Sequence, residues 1–163
     1  IHDHFPECSM RVDFHNRFHL SAFLEILPRL EDLDLVWIEE PCMHPQDFST
    51  IRSATRIPLA AGELFFGTEE FIRLMDGQLV DVIMPDIKHV GGTGPLIAVC
   101  REAEKRGVGV SPHNPSGPVA CLAALQASAA STAITSIETV YLSSGGIPLM
   151  DHVINGNSLK IPQ

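Results

Sequence analysis

The sequence has no cluster of basic residues: 11 of its 163 residues are lysine or arginine, against 20 aspartates and glutamates. The resulting formal charge of −9 argues against nucleic acid or an anionic membrane as a partner. No signal peptide is visible in these residues, and no apolar run reaches the length of about 18 residues that a transmembrane helix needs. The four cysteines form no Cys-x-x-Cys pair, which argues against a disulfide framework. We therefore expect a soluble protein of a reducing, cytoplasmic compartment.

Phosphate-binding loops are also missing. Neither a Gly-x-Gly-x-x-Gly motif nor a Gly-Lys-Ser/Thr motif is present. The glycine-rich segment 91–94 is better explained as a turn that leads into a helix. Lys88 and His89 lie just before this segment. Their side chains could contact a substrate or only solvent.

What the sequence does contain is an alternation of strand-like and helix-like segments in a chain that is 45% hydrophobic. Strands are predicted at 10–14, 35–38, 57–61, 80–84, 108–111 and 134–137. Helices are predicted at about 21–30, at 46–54, from residue 68, at 95–106 and at 118–131. Alternating strands and helices predict a parallel α/β sheet, which is either doubly wound or closed into a barrel.

Each predicted strand delivers an acidic residue or a histidine near its end, at intervals of about 25 residues, roughly one strand, one helix and two loops. These residues are Asp13, Glu39, Glu63, Asp86, His113 and Glu138. A doubly wound sheet concentrates its chemistry at one switch point, whereas a barrel gathers it from every strand end. The pattern therefore favours a (β/α) barrel. A complete barrel needs about 250 residues, so we expect residues 1–163 to be about six βα units of one larger barrel domain, with two strands absent on the N-terminal side.

Three consecutive strand ends carry carboxylates, at Asp13, Glu39 and Glu63. Carboxylates that converge without a matching basic cluster repel one another, and a hard divalent cation such as Mg²⁺ resolves the repulsion. Taken singly, each acid is as well explained as a solvated loop residue or a helix cap. One Mg²⁺ per site is the interpretation that explains all three together.

Two histidines are candidates for acid–base chemistry. In Asp13-Phe14-His15, strand alternation places His15 on the same face as Asp13. Asp86 ends the strand before the one that His113 follows, and a carboxylate beside an imidazole fixes its tautomer and stabilises its protonated form. The alternatives are a surface histidine for His15 and a buried, hydrogen-bonded histidine for His113.

The motifs that carry these residues resemble those of the enolase superfamily, over about residues 10 to 140. They are 12–15 (Val-Asp-Phe-His), 37–41 (Trp-Ile-Glu-Glu-Pro), 60–63 (Ala-Ala-Gly-Glu), 85–87 (Pro-Asp-Ile) followed by Gly91-Gly92, 111–115 (Ser-Pro-His-Asn-Pro), and Glu138. The resemblance implies a modified TIM (β/α)₈ barrel as the C-terminal domain, preceded by an α+β capping domain that has no counterpart here. We also expect the protein to be a homo-oligomer.

Carried over by position, the resemblance assigns roles to these residues. Asp13, Glu39 and Glu63 match the Mg²⁺ ligands. Asp86 and His113 match the His–Asp dyad of the mandelate racemase subgroup, whereas the muconate-lactonizing subgroup typically has a lysine at the position of Asp86. Glu138 matches an acid that helps to bind a substrate carboxylate oxygen.

The Asp-x-His pattern is similar to galactonate and mannonate dehydratases, in which the histidine corresponding to His15 is the general acid. Arg17 in the same segment is assigned to substrate binding. Those proteins often read Asp-Phe-His-Gly-Arg, whereas Asn16 stands here in place of the glycine. The segment 115–117 reads Pro-Ser-Gly, whereas the corresponding segment of galactonate dehydratases resembles Pro-Leu-Gly. Both departures bear on the substrate more than on the chemistry.

The resemblance implies a lyase that dehydrates a sugar acid. His113 would take the proton α to the substrate carboxylate, Mg²⁺ would stabilise the enediolate, and His15 would protonate the departing β-hydroxyl to give a 2-keto-3-deoxy acid. A racemase or epimerase could use the same enediolate, with His15 as a second base. A non-catalytic relative that keeps the fold is a third alternative, which the intact set of acids and histidines disfavours.

Overall fold

The structure is a computed structural model that describes residue 4, residues 7–140 and the backbone of 154–155 and 158–159. These residues form two compact units. The first comprises described residues of Ile1–Ala61 with Asp76–Val82, and the second those of Gly62–Met75 with Ile83–Gln163. None of the described helices is long and apolar enough to cross a membrane.

The first unit is built on parallel strands. In chain order its elements are β1 (Met10–Asp13), α1 (Leu20–Leu30), β2 (Leu35–Glu39), a 3₁₀ turn (Pro45–Asp47), α2 (Phe48–Ala54) and β3 (Leu59–Ala61). β2 lies between β1 and β3 and pairs with both in parallel. Its apolar run explains this position, because a strand covered on both faces needs no polar side.

Helices α1 and α2 cover this part of the sheet with a few fully buried side chains. They bring Phe23 from α1 and Phe48 and Ile51 from α2 into a core with Ile38 and Leu59 from the strands. Next to β3 the chain returns at Asp81, whose N–H donates to the carbonyl of Leu59 over 2.9 Å. β4 therefore begins beside β3, in the order that consecutive βα units predict.

The alternation of helices and strands continues after β3. The elements there are α3 (Glu69–Asp76), β4 (Val82–Ile83), α4 (Thr93–Arg106), β5 (Gly109–Val110) and α5 (Pro118–Ser128), with a short antiparallel pair β6 (Ile154–Asn155) and β7 (Ser158–Leu159). Their residues belong to the second unit except for Asp76 and Val82, which belong to the first. The N–H of Ser111 donates to the carbonyl of Ile83 over 3.0 Å, so β5 lies beside β4. Helix α4 ends at Arg106, where the basic pair predicts, and Gly107 caps it with φ 67°.

The strand predicted at 134–137 is reduced to one parallel bridge between Val110 and Ile134. The chain stays extended beside β5 beyond this bridge. The N–H of Thr135 donates to the Val110 carbonyl, and that of Glu138 to the Pro112 carbonyl. Glu138 is therefore brought to the end of β5, as the regular spacing of acidic residues and histidines along the chain predicts. Its segment pairs less regularly than a full strand would.

Candidate active site

Two of the predicted metal ligands stand side by side in the first unit. Asp13 ends β1 and Glu39 ends β2, and the two residues are partners in the register of this parallel pair. The hydrogen bonding between the two strands extends one residue further, because the N–H of Phe14 donates to the carbonyl of Glu39 over 3.0 Å. Partners in a parallel register direct their side chains to the same face, so both carboxylates lie on one face at the C-terminal end of the strands.

His15 contacts Asp13, but not for the reason that strand alternation gives. Strand β1 ends at Asp13, and His15 has φ 51°, in the left-handed region. The backbone N–H of His15 donates to Asp13 Oδ1 over 2.6 Å, and the ring Nδ1 lies 3.5 Å from Asp13 Oδ2. This is a turn closed by an aspartate side chain. It leaves 54% of the His15 side chain exposed, and Arg17, two residues later, is also exposed.

The carboxylate of Glu39 has a partner that the sequence interpretation missed. Trp37, two residues earlier on the same face of β2, donates its indole N–H to Glu39 Oε2 over 3.1 Å. The guanidinium of Arg11 lies 4.3 Å from the Trp37 ring centroid. The i, i+2 spacing of a tryptophan and a glutamate on one strand is the signal that could have predicted this bond.

The second unit contains the pair that the sequence predicts as a base and its orienting acid. His113 Nδ1 lies 3.0 Å from Asp86 Oδ2. The Asp86 side chain is 0% exposed and that of His113 is 12% exposed. Lys88 also reaches this carboxylate, with Nζ 3.2 Å from the same Oδ2, and its backbone N–H donates to Oδ1 over 2.8 Å. The buried charge of Asp86 is thus compensated from two sides, as a buried carboxylate requires.

The other ring nitrogen of His113 faces two further carboxylates. Nε2 lies 3.2 Å from Glu63 Oε2 and 3.8 Å from Glu138 Oε2. Glu138 is held in turn by the backbone N–H of Asn114, over 2.9 Å. The structure therefore brings three of the predicted site residues, Glu63, Asp86 and Glu138, around the imidazole of a fourth, His113.

Lys88 and Asn114 are further members of this cluster that the sequence did not assign. Lys88 could have been inferred from its place two residues after Asp86, where a turn closed by the aspartate brings it back. Asn114 is almost fully buried, and neither atom of its side-chain amide has a hydrogen-bond partner. Nothing in a single sequence marks such an amide.

Among the residues that the structure describes, no group of three or more histidines, cysteines, aspartates and glutamates is arranged to hold a metal ion. The donor chemistry of the predicted ligands nevertheless fits Mg²⁺. Asp13 and Glu39 offer carboxylate oxygens from neighbouring strand ends of the first unit, and Glu63 is a carboxylate residue of the second unit. Mg²⁺ takes oxygen ligands of this kind and few others.

Comparison with known proteins gives a family match over almost the whole chain. The model of a family described as Enolase C-terminal domain-like matches residues 1–162. The curated D-galactonate dehydratase of Verminephrobacter eiseniae is 32% identical over 111 residues, which are 67% of this chain and 29% of that protein. The chain thus spans less than a third of the length of the curated relatives that it matches.

Solved structures extend the likeness to the fold. An enolase from Agrobacterium radiobacter, with bound Na and L-malate, has a TM-score of 0.76 and 30% identity over 84% of this chain and 35% of its own. The 3,6-anhydro-D-galactonate cycloisomerase of Zobellia galactanivorans has a TM-score of 0.80 and 25% identity over 96% of this chain and 46% of its own. These likenesses confirm the predicted fold class, a modified (β/α) barrel of the enolase type.

Proposed function

Because the chain belongs to the Enolase C-terminal domain-like family, we propose that this protein is a Mg²⁺-dependent dehydratase of a sugar acid. The observation that carries the proposal is the surroundings of His113. One ring nitrogen is bound to the buried Asp86, and the other faces Glu63 and Glu138. A 32% identical relative is a D-galactonate dehydratase, which supports the reaction class.

His113 is the base in this proposal. Asp86 accepts the Nδ1 proton, so the neutral ring carries its lone pair on Nε2, where it can accept a proton from the carbon α to a carboxylate. The carboxylates of Glu63 and Glu138 then lie beside the imidazolium that forms. Asp86, fully buried and bonded also to Lys88, holds the ring in the tautomer and orientation that proton transfer needs.

His15 is the proposed general acid. Its ring Nδ1 lies 3.5 Å from Asp13 Oδ2, so the carboxylate is close enough to orient the ring for proton donation. The proton from His15 and the departing β-hydroxyl make one water molecule. The enol that is left tautomerises to a 2-keto-3-deoxy acid, so the reaction needs no oxidant or further reactant.

The proposed ligands of Mg²⁺ are Asp13, Glu39 and Glu63. Bound by them, the ion would supply positive charge beside the substrate carboxylate as its α-proton is lost. Glu138, held by the Asn114 N–H, and Arg17, exposed after the His15 turn, are proposed to bind the substrate itself.

The test uses His113→Asn in the complete protein with Mg²⁺ and a panel of sugar acids. We expect exchange of the substrate α-proton with D₂O, followed by NMR, to fall by about 10² to 10⁴-fold, the usual contribution of one acid–base group. His44→Asn is the matched control, because His44 is exposed and precedes the 3₁₀ turn of the first unit. Exchange at the wild-type rate in His113→Asn would overturn the assignment of the base.

A second outcome of the same first step is epimerisation or another isomerisation. The likeness to a cycloisomerase favours keeping it as a candidate, because that name implies a product with no loss of water. Keto-acid formation from the substrate panel supports dehydration. Inversion at the α-carbon without water loss would support the alternative and leave the role of His113 unchanged.

A further inference from the structure

One residue ties the loop that carries Glu63 to the turn that carries Asp86. The Nδ1 atom of His89 lies 2.8 Å from the carbonyl oxygen of Glu63, and the backbone N–H of Gly67 donates to the carbonyl of His89 over 3.1 Å. His89 thus contacts the first and last residues of the segment 63–67. Its own backbone N–H donates to the carbonyl of Asp86 over 3.0 Å.

The bond from the ring has a defined direction. A carbonyl oxygen only accepts hydrogen bonds, so the Nδ1 atom of His89 must carry the proton. The ring is held at a second point by Phe66, whose ring centroid lies 4.8 Å away at an interplanar angle of 32°. Side chain and main chain of His89 therefore hold the same loop, through two hydrogen bonds and one ring contact.

The peptide of Glu63 needs this support because the chain turns sharply there. Gly62 has φ 116°, a conformation that favours glycine, and its carbonyl accepts the N–H of Phe65 over 3.1 Å. Glu63 leaves this turn with its carboxylate 3.2 Å from His113 Nε2. A rotation of the Glu63 peptide would move the carboxylate relative to His113, and the bond to His89 opposes that rotation.

We propose that His89 is a positioning residue that fixes the main chain of Glu63 and so sets the direction of its carboxylate. The proposal rests on the proposed function, which makes Glu63 a metal ligand. Groups that hold a metal ligand in place typically contribute about 10 to 100-fold to metal affinity. His89 would do so through the main chain of Glu63, without touching the metal or the substrate.

The experiment compares three variants of the complete protein. His89→Asn keeps a donor where Nδ1 stands, because the asparagine amide nitrogen lies at the same distance from the main chain. His89→Phe keeps an aromatic ring against Phe66 but has no donor. Phe66→Ala removes the ring contact and leaves the hydrogen bond.

Two readouts are measured. The first is the affinity for Mn²⁺, which takes the same oxygen ligands as Mg²⁺, followed by electron paramagnetic resonance. The second is hydrogen–deuterium exchange of the amides of 63–67 without metal. We expect His89→Phe to bind Mn²⁺ about 10-fold or more weakly and to exchange faster. We expect His89→Asn to retain most of the wild-type Mn²⁺ affinity and most of the protection of the amides of 63–67. We expect Phe66→Ala to retain the wild-type affinity for Mn²⁺.

The outcomes separate the two proposals. Wild-type affinity in His89→Phe, or equal losses in His89→Asn and His89→Phe, would overturn the role of His89. If the wild-type protein itself binds no Mn²⁺, the metal part of the proposed function fails. The exchange of 63–67 then decides on His89 alone, and equal exchange in wild type and His89→Phe would refute its role.

Discussion

Replacing Gly62 with alanine tests whether the turn before Glu63 depends on the absence of a side chain. An added Cβ would lie 2.5 Å from Phe71 Cε1 and 3.2 Å from Phe71 Cδ1. Carbon atoms in favourable contact are about 3.5–4.0 Å apart. Phe71 is 0% exposed, and its ring meets that of Phe65 at 5.4 Å, so it has little room to withdraw.

The expected cost has two parts. Forcing an extra carbon into a well-packed site costs about 1–3 kcal/mol. Holding a non-glycine residue at the φ of 116° observed for Gly62 costs on the order of 1–3 kcal/mol more. The sum of roughly 2–6 kcal/mol is a large share of the total stability of about 5–15 kcal/mol that is usual for a folded domain.

The assay is urea unfolding followed by far-UV circular dichroism. Gly94→Ala is the matched control: Gly94 lies in the first turn of α4, and an added Cβ would meet no atom within 4 Å. We expect this control to be stabilised by about 0.4–1 kcal/mol. In the Gly62→Ala/Phe71→Leu double variant, the part of the cost due to the clash should be recovered and the backbone part should remain. A loss below about 1 kcal/mol for Gly62→Ala, or no coupling to Phe71→Leu, would show that the turn before Glu63 does not depend on the absence of a side chain.

Two further predictions concern titratable groups. Cys8 is the exposed one of the four cysteines, and burial raises the pKa of the Cys42 and Cys100 thiols to about 11. A thiol reagent at mildly alkaline pH should therefore label one thiol per native chain quickly and the other three thiols only after unfolding. Rapid labelling of more than one thiol in the native protein would contradict this prediction. Hydrogen bonds from the N–H and hydroxyl of Thr132 lower the pKa of Glu104 below its ordinary 4.5. A carboxyl group with a lowered folded-state pKa contributes stability that is present above pH 4.5 and is lost as the pH falls through the folded-state pKa. The variant Glu104→Gln should therefore show a smaller fall of the urea midpoint at acid pH than the wild type. A pH profile identical to that of the wild type would contradict this prediction.

The sequence predicts the strands and helices where apolar runs and end signals are strong. The buried run at 35–38 forms β2, and the basic pair before Gly107 ends α4. The runs at 80–84 and 108–111 form strands of only two residues each. A strand's length depends on the hydrogen bonds that its neighbours offer, and a single sequence does not encode where those neighbours end.

The sequence also predicts which residues gather around His113, because consecutive parallel strands end at the same side of a sheet. It fails where the chain leaves the strand. The contact of His15 with Asp13 comes from a left-handed turn and not from strand alternation. The roles of Lys88 and His89 depend on how the turn after β4 folds back toward Asp86 and Glu63, which only the tertiary structure determines.

Left-handed backbone recurs beside the predicted metal ligands. His15 with φ 51° follows Asp13 by two residues, Glu40 with φ 41° follows Glu39 directly, and Gly62 with φ 116° precedes Glu63. An L-residue in this region costs about 1–2 kcal/mol. Glycine would be the less costly residue at position 40, yet a glutamate stands there with its side chain buried.

Such strain persists only where the surroundings compensate for it, and it concentrates at functional sites. At these strand ends a residue in the left-handed region turns the chain sharply, and backbone hydrogen bonds hold the turn. The His15 N–H donates to Asp13 Oδ1, and the Asn16 N–H donates to the Glu40 carbonyl. Asp13 and Glu39 thereby keep the register of rigid strands, although each is the last residue of its strand. A looser turn would cost less free energy and would leave the carboxylates less well fixed. Under the proposed function, which makes Asp13 and Glu39 ligands of Mg²⁺, this cost in stability keeps two ligand carboxylates in fixed positions.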